Sequence, residues 1–81
     1  MRFDRDELAE MGFFVHKECA CPLVATALKT DVYKAPLSID IDQEGDVFLN
    51  GHRLPEVNDM KALRVLLMLL DYRKNVKGFL Q

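Results

Sequence analysis

Apolar and polar residues alternate most cleanly between Leu37 and Pro55. Leu37, Ile39 and Ile41 interleave with Ser38, Asp40 and Asp42, the period of a strand with one buried face. Asn50-Gly51 is a strong two-residue hairpin signal, and closing it sets Leu49 opposite His52, Phe48 opposite Arg53 and Val47 opposite Leu54. The preceding turn has two candidate lengths. A two-residue Glu44-Gly45 turn puts Ile41 with Phe48 and splits the aliphatic set across both faces. A three-residue Gln43-Glu44-Gly45 loop pairs Ile41 with Val47 and Ile39 with Leu49, and gives Gly45 the left-handed position that glycine favours. The longer loop is therefore expected, with strands near 37–42, 46–49 and 52–55.

The flanking segments follow a helical period. Asp4 with Glu7 three residues on resembles a capping box, Leu8 and Met11 form a buried side, and Gly12 fits a C-terminal cap. Phe13-Phe14-Val15 reads as a short strand or docked loop. Pro22 suits the first turn of a second helix through Leu23, Val24, Ala27 and Leu28 toward Thr30, and Lys34-Ala35-Pro36 breaks it. A last helix starts after a cap at Asn58, with Glu56 and Asp59 at its start, Arg73, Lys74 and Lys77 at its end, and Gly78 as its stop. The expected fold is α+β: one small domain over residues 1–81, two short N-terminal helices, a three-stranded antiparallel meander and a long apolar C-terminal helix.

That last helix is apolar over an arc far wider than one small sheet can cover. The excess must be taken up by the N-terminal helices or by another chain. Leu66, Met68, Leu69 and Tyr72 are the residues for a homodimer or a partner groove.

Composition narrows the function classes. The 81 residues are 49% hydrophobic and 30% charged, with 11 basic against 13 acidic residues and a net charge of −2. That balance suits a globular chain and argues against generic nucleic-acid coating or a polybasic membrane hook. No apolar run approaches the roughly 18 residues of a membrane helix. The first residues are charged where a signal peptide is apolar, and Cys19 and Cys21 are too close for an unstrained disulfide, so a reduced, cytoplasmic protein is expected.

Candidate chemistry is sparse. Asp40-x-Asp42-x-Glu44-Gly45-Asp46 resembles the first half of a calcium loop, but Gly51 occupies the twelfth position, where a bidentate glutamate belongs. His16, Cys19, Cys21 and His52 could supply four zinc ligands, although the two cysteines lack the usual spacing. Neither pattern is complete, and no metal or cofactor is expected. The single serine, Ser38, falls in a strand, and no glycine-rich phosphate loop accompanies it, so catalysis is not expected. Lys29, Lys34, Arg73, Lys74 and Lys77 could cluster, but no base-reading helix accompanies them, and direct nucleic-acid binding is not expected.

The outer face of the meander is the odd surface. Its register collects Asp40, Asp42, Asp46, Phe48 and Arg53, with Glu44 in the loop, and sets two like charges, Asp42 and Asp46, across a strand pair. Phe48 there is either shielded, by Phe13-Phe14 or by Arg53, or serves as an anchor for a partner. The expectation is a non-enzymatic regulator or inhibitor, of a kind bacterial and phage genomes often encode. It would bind a larger protein with a basic surface through Asp40, Asp42, Glu44, Asp46 and Phe48. A metal-dependent interaction domain and a nucleic-acid-associated regulator are the alternatives.

Overall fold

The computed structural model describes residues 3–17, 22–31 and 33–75, with the side chains of 72–75 outside the description. The first helix, α1 (Arg5–Glu10), is capped as the sequence predicts: the Asp4 carboxylate accepts hydrogen bonds from the Asp6 and Glu7 amides at 2.8 and 3.1 Å. Its other end is a Schellman closure. The Gly12 amide donates to Ala9 O and the Phe13 amide to Leu8 O, with Gly12 at φ +96°. This closure turns Phe13 into the core beside Leu8 and sends the next residue, Phe14, outward.

Five antiparallel strands follow in sheet order identical to chain order: β1 (Phe14–Val15), β2 (Leu23–Thr30), β3 (Pro36–Asp42), β4 (Val47–Leu49) and β5 (His52–Arg53). The expected registers hold. Ile41 pairs with Val47, Ile39 with Leu49, Phe48 with Arg53 and Leu49 with His52. The three-residue loop is present, with Gly45 at φ +86°, and both turn residues Asn50 and Gly51 have positive φ. One consequence is the even sorting of faces: Ile39, Ile41 and Val47 are fully buried on one side, while Asp40 and Phe48 point to the other.

The expected second N-terminal helix is instead β2, and the sheet has five strands rather than three. Pro22 and the spacing of Leu23, Val24, Ala27 and Leu28 imitate a helix start. The structure resolves the ambiguity through a register shift between Leu23 and Ala25, a bulge that buries Val24 and Ala25 in succession and masks the period of two. After it the alternation is regular: Ala25 and Ala27 face inward, and Thr26 and Leu28 face outward. The break at Lys34-Ala35-Pro36 leads into extended structure, β3, as expected, and it closes a hairpin with β2. The Asp31 carboxylate accepts from the Tyr33 and Ala35 amides, both at 2.8 Å, and Asp31 N donates to Ala35 O.

The last helix, α2 (Met60–Asn75), starts one residue later than expected. Asp59 caps it, accepting from the Ala62 amide at 2.8 Å, whereas Asn58 is exposed ahead of it. Leu63 and Leu67 are buried in one cluster with Phe3, Leu8, Phe13, Val57 and the inward side chains of β2, β3 and β4. An Arg64–Glu7 ion pair joins α2 to α1. The two helices thus share one side of the sheet. The expected stop at Gly78, with Lys77, lies outside the described residues.

Candidate functional site

The other side of the sheet carries no described helix. Register alone fixes a row across all five strands: Phe14, Thr26, Asp40, Phe48 and Arg53. Its centre is a hydrogen-bonded chain. Thr26 Oγ1 donates to Asp40 Oδ1 at 2.9 Å, and Ser38 Oγ approaches Asp40 Oδ2 at 3.4 Å. With the threonine proton on Asp40, Thr26 Oγ1 is the acceptor toward His16 Nε2 at 3.2 Å, so the imidazole carries its proton on Nε2. The Phe14 ring meets the His16 ring edge-on, with centroids 5.0 Å apart.

Apolar side chains flank this polar centre. Phe14 is 68% exposed and Leu28 is 79% exposed, both on the outer face, and Phe48 is half-buried. Phe48 stands directly opposite Arg53. Phe14 is three strands away, roughly 14 Å, and Phe13 is in the core, so neither shields it.

The acidic residues are held locally. Asp42 Oδ1 accepts from the Glu44 and Asp46 amides at 3.0 and 2.9 Å, bracing the loop, and Asp46 pairs with Arg53 at 3.3 Å. The like-charge opposition of Asp42 and Asp46 is thereby relieved, one carboxylate by backbone amides and the other by a guanidinium. Asp42, Glu44 and Asp46 bring ligand atoms within 4.8 Å of one another, the only such group among the described residues. Asp40, first in the calcium-like pattern, is instead committed to Thr26. Calcium asks for six to eight oxygens, and the Asp42 and Asp46 carboxylates already serve other partners.

His16 directly follows β1 and His52 opens β5, at opposite edges of the sheet and about 19 Å apart across four strand spacings, so they do not form one metal site. Cys19 and Cys21 lie outside the described residues. On α2, Met68 and Leu69 are exposed and Leu66 is half-buried; the Tyr72 side chain is not described. No helix of the described residues is long and apolar enough to cross a membrane.

Phe14, Leu28, Thr26 and His16 escaped the sequence-based assignment of the site. The available signal was the β-branched content of Val24, Thr26 and Thr30, which favours a strand; a strand there sets Leu28 on the same face as Thr26 and Thr30. Compared with protein-family models, curated proteins and solved structures, the chain matches none.

Proposed function

We propose that this chain is a small non-enzymatic binding module that regulates or inhibits a larger protein by docking through the outer sheet face. One observation carries the reading: Phe14 and Leu28 stand on the solvent side of a sheet whose core lies wholly on the other side. Folding does not require large apolar side chains there, whereas an interface does, as anchors within a polar rim. Phe14, Leu28 and Phe48 supply apolar contact. Asp40 and the acidic lip of Asp42, Glu44 and Asp46 favour a basic partner surface and speed its approach. If that surface normally holds nucleic acid, the module competes for it by occlusion.

A non-catalytic role suits the polar centre. His16, Thr26 and Asp40 satisfy one another on an open sheet, without the cleft that encloses a substrate. Affinity capture from native lysate, comparing the unaltered chain with a Phe14→Ser/Leu28→Ser double variant, tests the proposal. The expected result is a partner retained by the first and lost by the second, with association faster at low salt. A partner held equally by a folded double variant would place the interface elsewhere.

A further inference from the structure

β2 is longer than the strand that covers it. β1 reaches only to Phe14, opposite Thr26, because the closure at Gly12 holds the preceding residues in α1 and off the sheet edge. Two hydrogen bonds fix which way the backbone of β2 points beyond that pair. His16 N donates to Val24 O at 2.8 Å, so Val24, Thr26 and every second residue after them aim their amide and carbonyl at the β1 side. Asp31 N donates to Ala35 O at 2.9 Å, so Ala27 and Lys29 aim theirs at β3. Leu28 and Thr30 therefore offer two N–H and two C=O groups along an edge where none of the described residues bonds them. Both side chains are exposed.

We propose that this edge receives an extended segment of the partner protein, which adds a strand antiparallel to β2 and in line with β1. Strand addition here rests on the docking reading above and supplies its binding mode. Antiparallel pairing makes all four bonds with only two residues of the segment, one opposite Leu28 and one opposite Thr30. Lys29, between them, decides whose segment it is. It lies on the other face from Leu28 and forms no ion pair among the described residues. A second copy paired edge to edge about a two-fold axis, using the same four groups, sets Lys29 directly against the same lysine of the other copy. Like charges so placed are destabilising, and lysine is a common guard of natural edges against self-pairing. An acidic side chain opposite Lys29 reverses the sign. The segment is therefore apolar, acidic and apolar in order, with its apolar residues on the outer face beside Leu28 and Thr30. In the adjoining hairpin Lys34 is exposed, while the Asp31 carboxylate is turned to the Tyr33 and Ala35 amides. The acidic lip lies at the other end of β3, so a basic surface there and an acidic strand here are separate demands on one partner.

The probe is the end-blocked peptide Thr-Val-Glu-Val-Thr, titrated to about 10 mM into the isotope-labelled full chain. Its valines fall opposite Thr30 and Leu28 and its glutamate opposite Lys29. The expected result is a saturable change at the Leu28 and Thr30 amide signals with slowed hydrogen exchange, while Ala27 and Lys29, already bonded to β3, slow no further. N-methylation of both valines removes the donors but keeps the side chains, and should weaken binding about tenfold or more. A peptide with lysine in place of the glutamate should bind about threefold more weakly. Thr30→Pro removes one edge donor of the chain itself without touching the β2–β3 ladder, a change edge strands tolerate, and should weaken the peptide about fivefold. Should Thr30→Pro fail to fold, the methylated peptide still decides. Absence of a saturable change, equal binding of the methylated peptide, or Leu28 and Thr30 amides already protected in the free chain would overturn the proposal. Protection that rises with protein concentration alone would give the edge to a second copy and overturn it too. A lysate partner lost by Phe14→Ser/Leu28→Ser but held fully by folded Thr30→Pro keeps the docking face and removes the strand. Peptide binding with no partner captured at all removes the docking reading and keeps the strand site, so the two fail separately.

Discussion

The two sides of the sheet are built from the same strands, residue by residue, and could hardly differ more. Inward, Ala25, Ala27, Ile39, Ile41 and Val47 are small or aliphatic and almost wholly buried. Outward, their immediate neighbours Thr26, Ser38 and Asp40 form a hydrogen-bonded chain, with Phe14 and Leu28 left in water. The inner side is explained by packing alone: each aliphatic excludes water and touches others of its kind. The outer polar chain explains only itself, because its hydrogen bonds would be nearly as good with solvent. What packing leaves unexplained is the pair of exposed apolar side chains, and function is sought there for that reason.

The sharpest way to break this contrast is to truncate adjacent residues on opposite sides. Ile39→Ala removes a fully buried side chain from the centre of the sheet and should cost about 2–5 kcal/mol, a transfer loss plus a cavity. Ser38→Ala, one residue away on the outer side, removes only a long 3.4 Å contact and should cost well under about 1 kcal/mol. Denaturant unfolding midpoints of the two variants, at similar slopes, check the pair. Near-equal losses would mean that the outer side is packed against something after all.

A smaller effect tests the acidic lip. Asp42 accepts from two loop amides, so Asp42→Ala should lose about 1–2 kcal/mol, while Asp42→Asn, which keeps an acceptor oxygen, should lose less than half of that. The same denaturant series reads both. If Asn and Ala cost the same, the carboxylate charge rather than the loop brace is what matters, and the acids count as an electrostatic surface.

How far these features were legible in the sequence follows the strength of local rules. The hairpins could be read because Asn50-Gly51 and Gly45 each demand one backbone geometry, and the alternation of Leu37 to Asp42 then fixed the faces. Asp4, Leu8 and Gly12 were equally plain, since caps act over four or five residues. β2 was not legible, because its bulge broke the alternation and its alanines and leucines are good helix formers. That single misreading concealed the part of the outer site beyond the meander, for Leu28 and Thr26 come from β2 and Phe14 matters only once β2 is beside it. Asp42 and Asp46 drew notice as a conflict, and the conflict dissolved at the tertiary level through Arg53, which no local rule requires. Asp59 displaced Asn58 as the cap because both are good caps and only the geometry of the turn chooses between them.

A third test concerns how the chain assigns two adjacent phenylalanines to opposite fates. Phe13 enters the core and Phe14 leaves it because the Schellman closure at Gly12 sets the direction of the chain into β1. Gly12 has open space around it, with nothing within 4 Å of where a Cβ would stand, so Gly12→Ala meets only the strain of φ +96°. The expected loss is about 1 kcal/mol, seen as a lower midpoint with unchanged slope. A much larger loss would show that the closure cannot tolerate even this strain and that the placement of both rings fails with it.

The smallest expected effect on stability belongs to Phe14→Ser, and it is the most informative about the outer side. Phe14 is 68% exposed, its ring makes a T-shaped contact with the half-buried His16 ring, and its backbone pairing with Thr26 survives any side chain. Losing the ring contact and some strand preference should cost no more than about 0.5–1 kcal/mol, less than any core truncation. His16 keeps its bond to Thr26, so its imidazole signals should shift through loss of the ring current yet retain their hydrogen-bonded character. Calorimetry and imidazole proton spectra of the variant read these two quantities together. A loss of several kcal/mol would convert Phe14 from an exposed anchor into a structural residue. The outer side would then be a second, incomplete core, and the contrast between the two sides would lose its functional meaning.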